Sequence, residues 1–164
     1  GTITPLWFLG HDRNLAGYGD VLAPRPEEDP GPPVVIATPS RALPRAAMVT
    51  FGEAIAEAAA RDGRRVAFIA SCDWAHTHRA EGPYGFHPDA AVVDELVVAA
   101  LRDNDPGRLI DLPEEQVANA AIDGLWQTLM LAGAMRRIPM RGEVLSYEAP
   151  SYYGMIVAAF TPAG

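Results

Sequence analysis

A chain of 164 residues, 49% of them hydrophobic, is long enough to bury one substantial core without disulfide staples. Its formal net charge of −8 argues against duplex DNA as a partner, and its single Cys excludes a disulfide framework and suits a reducing cytoplasm. All thirteen basic residues are Arg, which excludes Schiff-base and P-loop lysine chemistry, and no apolar run reaches the ~18 residues of a membrane span.

In chain order, residues 17–33 (GYGDVLAPRPEEDPGPP) are dense in Gly, Pro and acid and read as a surface loop. Residues 34–38 (VVIAT) form a short β-branched run that predicts a strand. Pro44 is placed to open a helix over residues 46–61, with Asp62-Gly63 as its stop. Residues 65–71 (RVAFIAS) predict the next strand, so strand, helix and strand make a βαβ unit with parallel strands. Helical patterns follow over residues 89–101 and from Pro113-Glu114-Glu115, and residues 120–135 are apolar enough to be largely buried. Residues 143–148 and 152–160 flank Ala149-Pro150-Ser151 and read as an antiparallel strand pair. The predicted fold is α/β: a parallel βαβ-containing sheet flanked by helices, with a C-terminal antiparallel pair, in a single domain over residues 1–164.

The stretch RVAFIASCDWAHTH runs an apolar strand into Ser71, Cys72, Asp73, His76 and His78. Ligands in open α/β sheets sit beyond the carboxyl ends of parallel strands, and this loop occupies that place. A His there, with a nearby Asp to fix its tautomer, can act as general acid and base because its reference pKa of ~6.5 lets it work in both directions. His76 is therefore the candidate catalytic residue, against the plainer reading of a loop histidine bonded for structure. Asp73, His78 and Tyr84 are candidates to line the substrate. Asp73 also suits an Asx turn, and His78 a solvated surface position. His76 and His78 have a spacing that can chelate a metal from an extended segment, a weak signal without a third ligand. Cys72 lacks an oxyanion-hole signature and reads as a small buried thiol, and Ser71 has no G-x-S-x-G context. His11 and His87 read as surface or capping residues, and the Tyr147, Tyr152 and Tyr153 cluster as core.

The same stretch resembles the vaviaSGDlSH segment of class III extradiol ring-cleavage dioxygenases, the superfamily of the protocatechuate 4,5-dioxygenase catalytic subunit. VVIATPSR before a helix, GPYGFHPDAAVVDELVVAAL, ANAAIDGLWQTLMLAGAM and EVLSYEAPSYYGMIVAAF support it, in family order and over nearly the whole chain. The resemblance implies a non-haem Fe(II) enzyme that opens a catechol-type ring with O2 next to its two hydroxyls. It implies that His76 is the acid/base residue and that two histidines and a carboxylate hold the iron. Asp123 is the nearest candidate for the carboxylate.

Three departures stand out. Cys72 replaces a family Gly, Trp74 and Ala75 replace smaller or polar neighbours, and none of His11, His78 or His87 matches the iron-binding histidines. Those are expected upstream of Gly1, so the chain is expected to be the C-terminal part of a longer enzyme, with Fe(II) weakly held or absent when it stands alone. Self-association as a homo-oligomer or pairing with a complementary N-terminal segment is expected to cover its apolar surface. Two other readings remain open: a non-catalytic binding domain of the same fold, and a metal-dependent hydrolase using His76 and His78.

Overall fold

The computed structural model describes residues 3–9 and 32–164. The chain divides into two compact units, residues 1–38 and 39–164. In the first unit, α1 spans Ile3–Phe8, and residues 33–38 follow without a strand ladder, leaving Val35 96% exposed. The Gly/Pro-rich loop lies almost wholly outside the described residues, and His11 lies outside them entirely.

The second unit opens with α2 (Arg45–Asp62), which starts after Pro44 and stops at Gly63 in the left-handed conformation, φ 77°. Pro has no N–H to leave unsatisfied at a helix start, and Gly adopts positive φ at no steric cost, so the two ends obey the sequence. Met48, Val49, Gly52 and Ala56 form its buried face. They pack on α5 (Leu125–Arg137), which is buried almost all round. The two backbones nearly touch. A Cβ at Gly52 would lie 1.8 Å from the Met130 carbonyl oxygen, and one at Gly133 would lie 1.9 Å from that of Val49.

Between them in the chain, α3 (Asp89–Arg102) buries Ala90, Val93, Asp94, Val97 and Leu101 along one face. A 3-10 turn over Pro106–Asp111 leads to α4 (Glu114–Asn119), which begins after Pro113 as its sequence predicts. The run over residues 120–135 is largely buried, as its composition predicts, with a turn over residues 120–124 leading into α5.

The closing strands are β1 (Met140–Glu148) and β2 (Met155–Pro162), an antiparallel pair. Val144, Ile156, Ala158 and Phe160 face the core from this sheet. An irregularity between Val144 and Ser146 adds a residue on β1. Strict alternation from Val144 would turn Tyr147 outward, and the extra residue returns it to the core side. Tyr152 and Tyr153 belong to the bend before β2 rather than to the strand.

The architecture is thus mixed α/β, and the parallel βαβ arrangement is not shown. Among the described residues the sheet has two strands, β1 and β2, and neither residues 34–38 nor residues 65–71 form a ladder. A β-branched run expresses a preference for a pleated, half-buried surface and does not supply a pairing partner. Parallel strands also need cover on both faces, whereas Val66 and Ile69 are 55% and 51% exposed. No helix among the described residues is long and apolar enough to cross a membrane.

Candidate functional site

The loop carrying His76 is fixed by backbone bonds on both sides. Trp74 N–H donates to Gly154 C=O and Gly154 N–H to Ala75 C=O, tying the loop to the bend before β2. His76 N–H donates to Ala120 C=O at 2.8 Å and His78 N–H to Tyr152 C=O at 3.1 Å. Trp74 and Ala75 are core residues, 2% and 0% exposed, so they support the loop from beneath and form no pocket wall.

The His76 ring is only 13% exposed, but its two nitrogens face different surroundings. Nδ1 lies 2.9 Å from Ala121 C=O. A carbonyl can only accept, so the bond to Ala121 C=O places the hydrogen on Nδ1 and the lone pair on Nε2. Nε2 lies 3.3 Å from Asp73 Oδ1, where an imidazolium meets an opposite charge. Two acceptors thus act on the ring: Ala121 C=O, at hydrogen-bond distance, favours hydrogen on Nδ1, and the more distant Asp73 carboxylate favours it on Nε2.

Three tyrosines surround the ring. Tyr84 meets it edge-on at 5.5 Å, Tyr153 stacks at 5.8 Å, and Tyr152 lies tilted at 5.9 Å. Tyr84, 61% exposed, stands on a turn closed by the His78–Phe86 bridge, with Gly85 at φ 70°. Tyr152 and Tyr153 flank the candidate base instead of filling the core. No local spacing signals this, because tertiary folding brings them to His76. Tyr152 also lines a shallow pocket of about 350 Å³ with Arg79, Glu81, Gly82, Pro150 and Ser151.

His78 is not a solvated surface residue. Its Nε2 lies 2.8 Å from Oδ2 of Asp94, which is fully buried. Asp94 also accepts from Ala75 N–H at 3.1 Å and Tyr147 O–H at 3.0 Å. Gly154 packs so closely here that a Cβ would come 1.8 Å from Asp94 Oδ2. Burial pushes the Asp94 carboxyl above its ordinary range, against the hydrogen bonds from His78, Ala75 and Tyr147. Burial and then the Asp94 charge push the Tyr147 phenol up, keeping it a neutral donor. Sequence reasoning misses this Asp–His–Tyr cluster, although an acid on the apolar face of α3 is its signal.

The remaining candidates are structural. His87 Nδ1 accepts Asp89 N–H at 3.2 Å at the start of α3, a capping role. Burial pushes the Cys72 thiol up to about 12, so it is an inert thiol rather than a nucleophile.

The family model for the catalytic LigB subunit of aromatic ring-opening dioxygenase matches residues 1–160. The chain belongs to this family. Protein CA_C1420 of Clostridium acetobutylicum is 31% identical over 98 residues, 60% of this chain and 21% of that protein. The chain thus spans about a fifth of the length of that curated relative.

LigB-family dioxygenases typically depend on non-haem iron, which makes the ligand set a direct question. Among the described residues no three His, Cys, Asp or Glu side chains converge to hold a metal ion, so these residues do not fit an iron site. Nor do His76 and His78 form a chelating pair with a third ligand. Asp123 lies in the turn before α5 rather than on a helix, with Oδ1 2.5 Å from Arg41 Nη2. The Arg41 guanidinium also lies 4.7 Å above the Trp126 ring. Asp123 is therefore engaged by a cation, although its turn is the one that holds His76.

Proposed function

We propose that this LigB-family chain supplies the acid/base histidine for extradiol cleavage of a catechol-type aromatic ring by O2. The observation that carries this reading is the His76 ring, with Nδ1 committed to a carbonyl and Nε2 left to exchange a proton beside Asp73 and three tyrosines. Nε2 would take the proton of a substrate hydroxyl, Asp73 would offset the resulting imidazolium charge, and the tyrosine rings would give a flat aromatic surface to a flat ligand. Fe(II) is the metal this reading calls for, with its histidine ligands drawn from outside the described residues. A homo-oligomer or a complementary segment is the partner it calls for.

The test is O2 uptake with Fe(II) and a panel of catechols, comparing the protein with His76→Gln. Loss of a proton-transferring side chain should lower turnover by about 10²–10⁴-fold while the circular dichroism spectrum is unchanged. Equal turnover in the variant would remove His76 from the chemistry.

A second reading is favoured by the Arg41–Asp123 pair: a binding domain of the same fold without an iron site. It requires catechol binding with no O2 consumption at any Fe(II) concentration. Under either reading, a Fe(II) titration of these 164 residues should show weak binding. Tight, stoichiometric uptake would mean that the ligands lie elsewhere in the chain.

A further inference from the structure

The end of α4 is built in an uncommon way. Ile122 N–H donates to Val117 C=O and Ala121 N–H to Ala118 C=O, the paired bonds of a Schellman cap, with Val117 and Ile122 both buried. The residue in the left-handed position is not Gly but Ala121, φ 48°. This cap leaves the carbonyls of Asn119, Ala120 and Ala121 without helical partners. All three accept from the His76 loop: Thr77 Oγ1 bonds Asn119 C=O at 3.0 Å, His76 N–H bonds Ala120 C=O, and His76 Nδ1 bonds Ala121 C=O.

Besides the Arg41–Asp123 pair, a second side chain ties this turn to a neighbouring element. Asn119 Nδ2 donates to Asp89 Oδ2 at 2.8 Å, in the first turn of α3. Asp89 N–H donates to His87 Nδ1, and His87 N–H donates to Thr77 C=O at 2.9 Å. The path Thr77, His87, Asp89, Asn119 and back to Thr77 closes on itself around the base of the His76 loop.

We propose that Asn119 is a positioning residue for His76: its bond to Asp89 holds the strained turn whose Ala121 carbonyl selects the Nδ1–H tautomer and leaves Nε2 as the proton-exchanging atom. The consequence for turnover rests on the dioxygenase reading; the tautomer itself does not. An amide donor is required because Asp89 is an acceptor. Asn119→Asp would set two carboxylates against each other, whereas Asp89→Asn with Asn119→Asp exchanges donor and acceptor and restores the bond.

The experiment is long-range ¹⁵N–¹H NMR of histidine-labelled protein at a pH where the ring is neutral, with His76 assigned from the His76→Gln spectrum. The protein as it stands should show one tautomer, hydrogen on Nδ1. Asn119→Ala and Asn119→Asp should show a mixture of both, and the exchanged pair should return to one. Where catechol is turned over, the two single variants should lose roughly tenfold to a hundredfold in kcat with little change in KM, and the exchanged pair should recover. A single Nδ1–H tautomer retained in Asn119→Ala overturns the proposal even if turnover falls. If Asn119→Ala does not fold, Asn119→Asp takes its place: a mixture there that the exchanged pair resolves supports the proposal, and a single Nδ1–H tautomer in both overturns it. An absence of catechol turnover in every variant counts against the dioxygenase reading alone.

Discussion

His76 and His78 are separated by one threonine yet meet opposite demands. His76 gives Nδ1 to a backbone carbonyl, whereas His78 commits Nε2 to a buried carboxylate. Removing Asp94 would strip the partner from His78, Tyr147 and Ala75 N–H together, so Asp94→Ala should destabilise by about 3–5 kcal/mol. Asp123, 43% exposed and paired with Arg41, should cost at most about 1 kcal/mol on the same substitution. Urea unfolding of both variants checks the contrast, and equal losses would refute it. Cys72 gives a pH test. Burial raises its thiol to about 12, against the Thr128 hydrogen bond, with Asp123 and Asp73 adding to the rise. The unfolded thiol ionises near ~8.5, so the folded state holds its proton more tightly. Its contribution is full below ~8.5 and is lost as pH rises through the folded value. Cys72→Ala should therefore flatten the alkaline fall in the urea midpoint. Native protein should resist thiol reagents near pH ~8, where a free thiolate would react.

At the scale of elements, Ala121 and Gly133 predict opposite outcomes for small changes. The left-handed region costs an L-residue roughly 1–2 kcal/mol, and Gly loses ~0.4–1 kcal/mol more in ordering, so Ala121→Gly should stabilise by about 0.5–1 kcal/mol and raise the melting temperature. Gly133→Ala instead drives a methyl against the Val49 carbonyl and should cost about 1–3 kcal/mol by forcing α2 from α5. Differential scanning calorimetry reads both. The same elements show what the sequence made legible. Pro44, Gly63 and Pro113 mark helix ends through local backbone chemistry, and Ala90, Val93, Val97 and Leu101 repeat at helical spacing. Asp94 on that spacing could have been read as a buried hub. The α4 cap could not, since its left-handed residue is Ala where the pattern expects Gly. The inward turn of Tyr147 follows from an extra residue in β1 that alternation does not encode. The gathering of Tyr84, Tyr152 and Tyr153 on His76 depends on long-range contacts, as does the absence of a ladder over residues 65–71.

For the whole molecule, the decisive quantity is the apolar surface left in water. In the second unit, Val66 and Ile69 are more than half exposed, and the outer side of the sheet shows Leu145 at 57% and Val157 at 52%. A two-stranded ribbon is marginal by itself, and apolar strands with open edges invite further pairing. The net charge of −8 opposes association through long-range repulsion, but added salt screens that term and leaves the apolar term intact. The chain should therefore self-associate, more strongly at high than at low ionic strength, and sedimentation velocity should show the weight-average mass rising from micromolar toward near-millimolar concentration. Val66→Thr with Ile69→Thr keeps β-branched side chains while removing exposed apolar area, so it should shift the distribution toward monomer if residues 65–71 form the contact. Leu145→Thr with Val157→Thr makes the corresponding test of the sheet face. A monomer at every concentration and salt would show that these exposed side chains are tolerated singly, as scattered surface hydrophobics usually are, and that no second copy covers them.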